Sequence, residues 1–143
     1  MNTDNYNTYG VLYNWAASQE VCPAGWRLPG VEDWENLFTS IGGHPYGAGK
    51  LIESGTAHWL TSGHLATNET GFTALPGGMY EWTNIVYGGV FHRMGISAYF
   101  WTSTPSEYSD DLALRVGLVG PNNINIGIDN SKDYGFSVRC IKD

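Results

Sequence analysis

Residues 98–140, AYFWTSTPSEYSDDLALRVGLVGPNNINIGIDNSKDYGFSVRC, carry the clearest regular pattern in the chain. Three sets of apolar residues alternate in this stretch: Leu112, Leu114, Val116 and Leu118; Ile124, Ile126 and Ile128; and Phe136, Val138 and Cys140. A period of two places each set on one face of a strand. The intervening GPNN (120–123) and NSKDYG (130–135) are rich in the residues that turn a chain. With AYFWTST (98–104) ahead of them, these segments predict an antiparallel meander with one buried face, on which Cys140 sits. Arg115, Asn125 and Asp129 then point outward.

Working toward the N-terminus, residues 31–41 predict a helix. Val31, Trp34, Leu37, Phe38 and Ile41 recur at helical spacing, Glu32 and Asp33 suit the positive end of the helix dipole, and Gly42-Gly43 stops it. A shorter helix or turn is expected over 47–53. Tyr9, Val11, Tyr13 and Trp15 alternate as in a strand, and the polar residues 1–8 are expected to fray. Residues 54–95 show no sustained period but many glycines and aromatics, which predicts a long loop region packed by its own side chains. Helices early and strands late make an α+β class; without repeats or a low-complexity linker, 1–143 is expected to be one domain. Trp15, Trp26, Trp34 and Trp101 fall on inward positions and are assigned to the core.

Composition narrows the function classes. The 143 residues are 42% apolar, 14% aromatic and only 15% charged, which excludes a disordered or coiled-coil chain. The net charge is −7, and no run of Lys or Arg occurs, so a phosphate backbone or an anionic membrane surface would be repelled. Nucleic acid is not an expected partner, nor is membrane insertion, because no apolar run reaches the roughly 18 residues that span a bilayer. The opening Met1-Asn2-Thr3-Asp4 lacks the basic start of a signal peptide, so either the protein is cytosolic or its export signal or anchor lies outside this chain. Cys22 and Cys140 lie too far apart for a redox CxxC or a zinc knuckle. Two buried thiols or one long-range disulfide remain.

Five pieces, YGVLYNWAAS (9–18), VCPAGWRLPGVEDWENL (21–37), GFTALPGGMY (71–80), AYFWTST (98–104) and YGFSVRCIKD (134–143), cover nearly the whole chain and resemble in their order the Fibrobacter succinogenes major paralogous domain, a family of bacterial extracellular modules. RLPGVEDWENL is also similar to a segment of formylglycine-generating-enzyme-like domains. The resemblance implies a C-type-lectin-like fold: one main helix plus a short second helix on a small twisted antiparallel sheet, with a long irregular loop region. It further implies pairing of the first and last strands, a Cys22–Cys140 disulfide and an oxidising compartment. Family members carry a further segment upstream, and their helix opens with Thr where Gly30 stands here, a weaker N-cap.

Catalytic chemistry finds little support. No Gly-x-Ser-x-Gly or comparable nucleophile motif occurs, and Cys22 and Cys140 do not resemble the reactive pair of formylglycine formation. His44, His58, His64 and His92 show no i, i+4 zinc spacing. Residues 129–133 place oxygen side chains at positions one, three and five of an EF-hand-like loop but lack its glycine and its last carboxylate, so a plain turn is the better reading; no cofactor is expected, with calcium the weak exception. Asp110-Asp111 reads as a solvated loop pair. The candidate ligand-binding residues are the loop aromatics Tyr80, Trp82, Tyr87, His92 and Tyr108 with Asp110, Arg115, Asn123, Asn125 and Asp129, on the loops and outward face of the late strands.

The expected function is a non-catalytic extracellular recognition module, binding a surface glycan or protein, on a bacterial surface protein or a phage receptor-binding protein. Alternatives are a retroelement-diversified variable binding protein, a structural or pilin-like surface component, and a divergent formylglycine-generating-type enzyme.

Overall fold

Strand β4 (Ser97–Pro105) is buried at six consecutive positions, from Ser97 to Thr102. A strand exposed on one face would alternate, so β4 must be covered on both. The computed structural model, which describes residues 3–43, 47–60, 65–84, 86 and 88–143, shows how. β4 pairs antiparallel with β5 (Leu112–Val119), and β5 with β6 (Ile124–Ser131). On one face of this sheet Phe100, Val116, Leu118 and Ile124 meet Trp34 and Phe38 of helix α3 (Val31–Ser40), Leu51 of the short helix α4 (Ala48–Leu51), and Trp59. On the other, Tyr99, Trp101 and Ala113 meet Leu28 and Phe136. The α+β class with small antiparallel sheets is as expected; the single buried face is not.

That second core explains several departures. Arg115 is not an outward residue. Its guanidinium lies 4.5 Å over the Tyr99 ring, and its Nε donates to Asn130 Oδ1 at 2.8 Å. Burial pulls its pKa down, although a guanidinium stays charged. A planar cation can be covered this way because the aromatic face offers it negative potential. Trp34 and Trp101 are core residues as expected, and Trp15 packs against the second cluster. Trp26 is 45% exposed, against expectation, whereas Trp59, in the stretch read as loop, is fully buried.

Of the segment expected to fray, the described residues form a helix, α1 (Thr3–Tyr9). Residues 9–15 do not form a strand. Only Tyr13 makes a bridge, to Phe136, and Trp15 already opens helix α2 (Trp15–Ser18), capped by the Asn14 side chain through the Ala17 N–H at 2.9 Å. The loop region holds a hairpin, β2 (Met79–Asn84) with β3 (Gly88–His92). The third expected meander strand is absent from the β4–β5–β6 sheet; instead β7 (Ile141–Lys142) pairs with β1 (Trp26–Arg27).

Residues 135–137 do something less regular. Gly135 exchanges both backbone bonds with Tyr80 (2.9 and 2.8 Å), Phe136 both with Tyr13 (2.8 and 3.0 Å), and Ser137 bonds Tyr99 and Trp101 of β4 (3.0 and 3.1 Å). Three successive residues thus join three distant segments. Beyond them, Cys140 bonds Cys22, across a sequence separation of 118 residues.

Helix α3 begins at Gly30, which has no side chain to cap it. Thr104 of β4 supplies the missing oxygen, accepting from the Val31 N–H at 3.1 Å, and Asp33 reaches back to the Gly30 N–H at 2.8 Å. Asp33 also holds Arg27 through two bonds of 2.6 and 2.8 Å. The Arg27 hydrogen bond above all holds the Asp33 carboxyl below its ordinary range. A depressed carboxylate stabilises the fold above its unfolded pKa of about 3.9, and that stabilisation is lost as pH falls through the lower folded value. We therefore expect Asp33→Asn to cost about 1 kcal/mol at neutral pH through the lost cap, and to lose less stability than the parent on acidification below about pH 4. Urea midpoints measured from pH 7 to pH 2 check both.

Candidate functional site

A cavity of about 910 Å³ forms an open groove walled by α1, residues 10–14 and the β2–β3 hairpin. Alternation along the hairpin sends Tyr80, Trp82 and Phe91 to one face and Met79, Glu81 and His92 to the other. The first face lines the groove, opposite Tyr6 and Tyr9 of α1. Phe91 is 68% exposed and Trp82 41%, so large aromatic surfaces stand open to solvent.

Tyr80 is the fixed point. Its backbone is tied to Gly135, and its ring sits 5.1 Å from that of its cross-strand partner Phe91. Two glycines leave room for it. A Cβ on Gly89 would fall 2.4 Å from the Tyr80 ring, and one on Gly135 would fall 2.9 Å from the Tyr80 Cβ. Neither position can bear a side chain without displacing the tyrosine. Any substitution at Gly89 is thus expected to alter the groove wall while leaving both cores intact, which a near-ultraviolet circular dichroism change with little loss of melting temperature would register.

On the opposite face Glu81 accepts from the Tyr134 hydroxyl at 2.9 Å, and its other oxygen lies 3.2 Å from His92 Nε2. Burial, with the Glu81 bond, pushes the Tyr134 phenol up. This triad fastens the hairpin to the C-terminal segment. Polar groups at the groove itself are Asn5, Asn14 and Asp133.

Of the ten ligand-binding candidates, Tyr80 and Trp82 line the groove. His92 belongs to the hairpin but lies on its other face, paired with Glu81. Tyr87 lies outside the described residues, as do His44 and His64. Tyr108, 87% exposed, and Asp110 occupy the β4–β5 connection. Asn123 and Asn125, bonded to each other at 2.8 Å, lie at the β5–β6 turn. The eight residues of β5 separate those two ends by about 23 Å. Arg115 is packed on Tyr99, and one Asp129 carboxylate oxygen is buried without a partner among the described residues. The structure therefore does not gather these residues on one surface. Among the described residues no three His, Cys, Asp or Glu side chains cluster as metal ligands.

Sequence reading missed Tyr6, Tyr9, Phe91 and Asp133. The first two stand three apart, the spacing that puts two rings on one helical face, but they sit in a polar segment with no apolar stripe.

These features define an α+β protein of small antiparallel sheets, closed by a disulfide and carrying an open aromatic groove. The model of the Fibrobacter succinogenes major domain family matches residues 1–142, and the chain belongs to that family. No curated protein and no solved structure matches it.

Proposed function

We propose that this chain is a non-catalytic, extracellular recognition module, of a bacterial surface protein or a phage receptor-binding protein, that holds a glycan in the groove between α1 and the β2–β3 hairpin. The observation that carries the reading is the set of exposed rings, Trp82, Phe91 and Tyr6, held open beside a Tyr80 that two glycines and a backbone pair keep in place. Aromatic faces are electron-rich and accept the C–H face of a pyranose, with large contact area and little rotamer entropy to lose. Asn5, Asn14 and Asp133 bring donors and acceptors for sugar hydroxyls. The C-type-lectin-like assignment of the fold is part of this proposal, supported by the bridge from just before α3 to the chain's end and by the β1–β7 pairing. The same bridge supports an oxidising location.

A glycan array, with and without calcium, identifies the ligand. Trp82→Ala and Phe91→Ala each remove an exposed ring, and each is expected to weaken binding by about 2 kcal/mol, roughly 30-fold, with little change in melting temperature. Saturable glycan binding unmoved by both substitutions would remove the groove from the proposal.

A further inference from the structure

A second cavity, about 300 Å³, lies between α3, Phe72 and residues 139–142. Three observations single it out. The first is electrostatic. The protein carries seven Lys and Arg residues against fourteen acids, yet Arg139 and Lys142 line this cavity and Arg27 stands beside it, bonded to the lining Asp33. Asp33, the acid of the lining, is thus already neutralised. Lys142 and Arg139 have no carboxylate partner among the described residues, and Arg139 spends one N–H on the Phe72 carbonyl at 2.7 Å while its guanidinium lies 4.5 Å over the Phe72 ring. That stacking holds the planar cation in place with donors to spare.

The second observation is an unsatisfied donor. Trp34, which borders the cavity, is 2% exposed, and its indole N–H has no acceptor among the described residues. Buried N–H groups are rarely left so; this one is shielded from solvent, and a small shift of the indole would bring it to an oxygen entering the cavity. The third is the half-exposed Trp26 indole in the cavity lining, an aromatic surface with no role in either core. A volume near 300 Å³ is at the small end for ligand sites, the size of one ring.

We propose that this cavity is a second binding site, for an acidic monosaccharide of the uronic-acid type. The carboxylate is received by Arg139 and Lys142, an oxygen by the Trp34 indole N–H, and the sugar ring by the indole of Trp26. In a protein of net charge −7, Arg139 and Lys142, without a carboxylate partner among the described residues, are what an anion would find, whereas Arg27 is engaged by Asp33 and Asp143. The site stands independently of the groove.

Titration of the full chain with D-glucuronate, followed by the tryptophan indole resonances in 1H–15N spectra, tests it. A single sugar ring binds with a Kd on the order of a millimolar, and glucuronate is expected to shift the Trp34 indole N–H downfield, saturably. Arg139→Gln, a substitution at an exposed residue, is expected to weaken binding about ten-fold, and Trp82→Ala to leave it unchanged. D-Glucose and acetate serve as neutral-sugar and bare-carboxylate controls, each expected to bind at least about ten-fold more weakly than glucuronate. An unmoved Trp34 resonance, acetate binding as tightly as glucuronate, or Arg139→Gln binding like the parent would each overturn the proposal. None of these outcomes bears on the groove, whose own test is the loss of glycan binding on Trp82→Ala.

Discussion

Replacing Cys22 and Cys140 together by serine is expected to lower the melting temperature by roughly 15 °C. The bridge closes a loop across a sequence separation of 118 residues. On the chain-entropy model such a closure restricts the unfolded ensemble by about 5 kcal/mol. Little else holds the end of the chain: β1 and β7 pair over only two residues each, and beyond them the Asp143 N–H bonds the Gly25 carbonyl at 3.1 Å. Differential scanning calorimetry of the parent and the double-serine variant, and of the parent with a reductant, measures the effect. A shift under about 3 °C would show that the unfolded chain is already compact enough to make the bridge redundant.

Trp101→Ala carries the second large expectation, a loss of about 3–5 kcal/mol. The indole is fully buried, its ring centroid lies 4.6 Å from that of Phe136, and its N–H donates to the Tyr13 carbonyl at 2.7 Å. Truncation therefore opens a cavity in the second core and removes a link between β4 and the N-terminal segment. Trp101→Phe separates the two contributions. It keeps most of the ring and loses the hydrogen bond, for about 1 kcal/mol, because the Tyr13 carbonyl retains the Phe136 N–H. Urea denaturation of both variants should give costs differing by at least about 2 kcal/mol; equal costs would mean that the bond to Tyr13 dominates the site.

The elements that could be read in advance are those whose side chains have one destination. Trp34 and Phe38 face the sheet, and Gly42-Gly43 follows the last turn, so α3 shows the ordinary amphipathic pattern. The late strands were legible in their existence, because β-branched and aliphatic residues recur at period two. Their surroundings were not, because the second face of the sheet is covered by Leu28 and Phe136, residues from outside its three strands, and carries a charged side chain of its own. Arg115 reads as a solvent residue until Tyr99 lies under it. The β2–β3 hairpin inverted the usual rule: its aromatic face is open to the groove, whereas its acidic residue, Glu81, is tied to Tyr134 and His92. The alternation at 9–15 misled for a related reason. Tyr13 and Trp15 both turn inward, but onto residues near the C-terminus, through single bridges and a capped turn and not through a ladder. The groove was half legible: Tyr80 and Trp82 were visible as aromatics, but their companions Tyr6 and Tyr9 became visible only once α1 lay across from the hairpin.

The junction at residues 135–137 has a consequence for timing. Its partners, Tyr13, Tyr80 and the pair Tyr99 and Trp101, are all synthesised earlier and must wait for it. Until those three residues are made, the N-terminal segment, the hairpin and β4 lack the backbone pairs through which residues 135–137 join them. Contacts of such long sequence separation are also slow to find. Closure of the groove and of the second core then follows the arrival of residues 135–137.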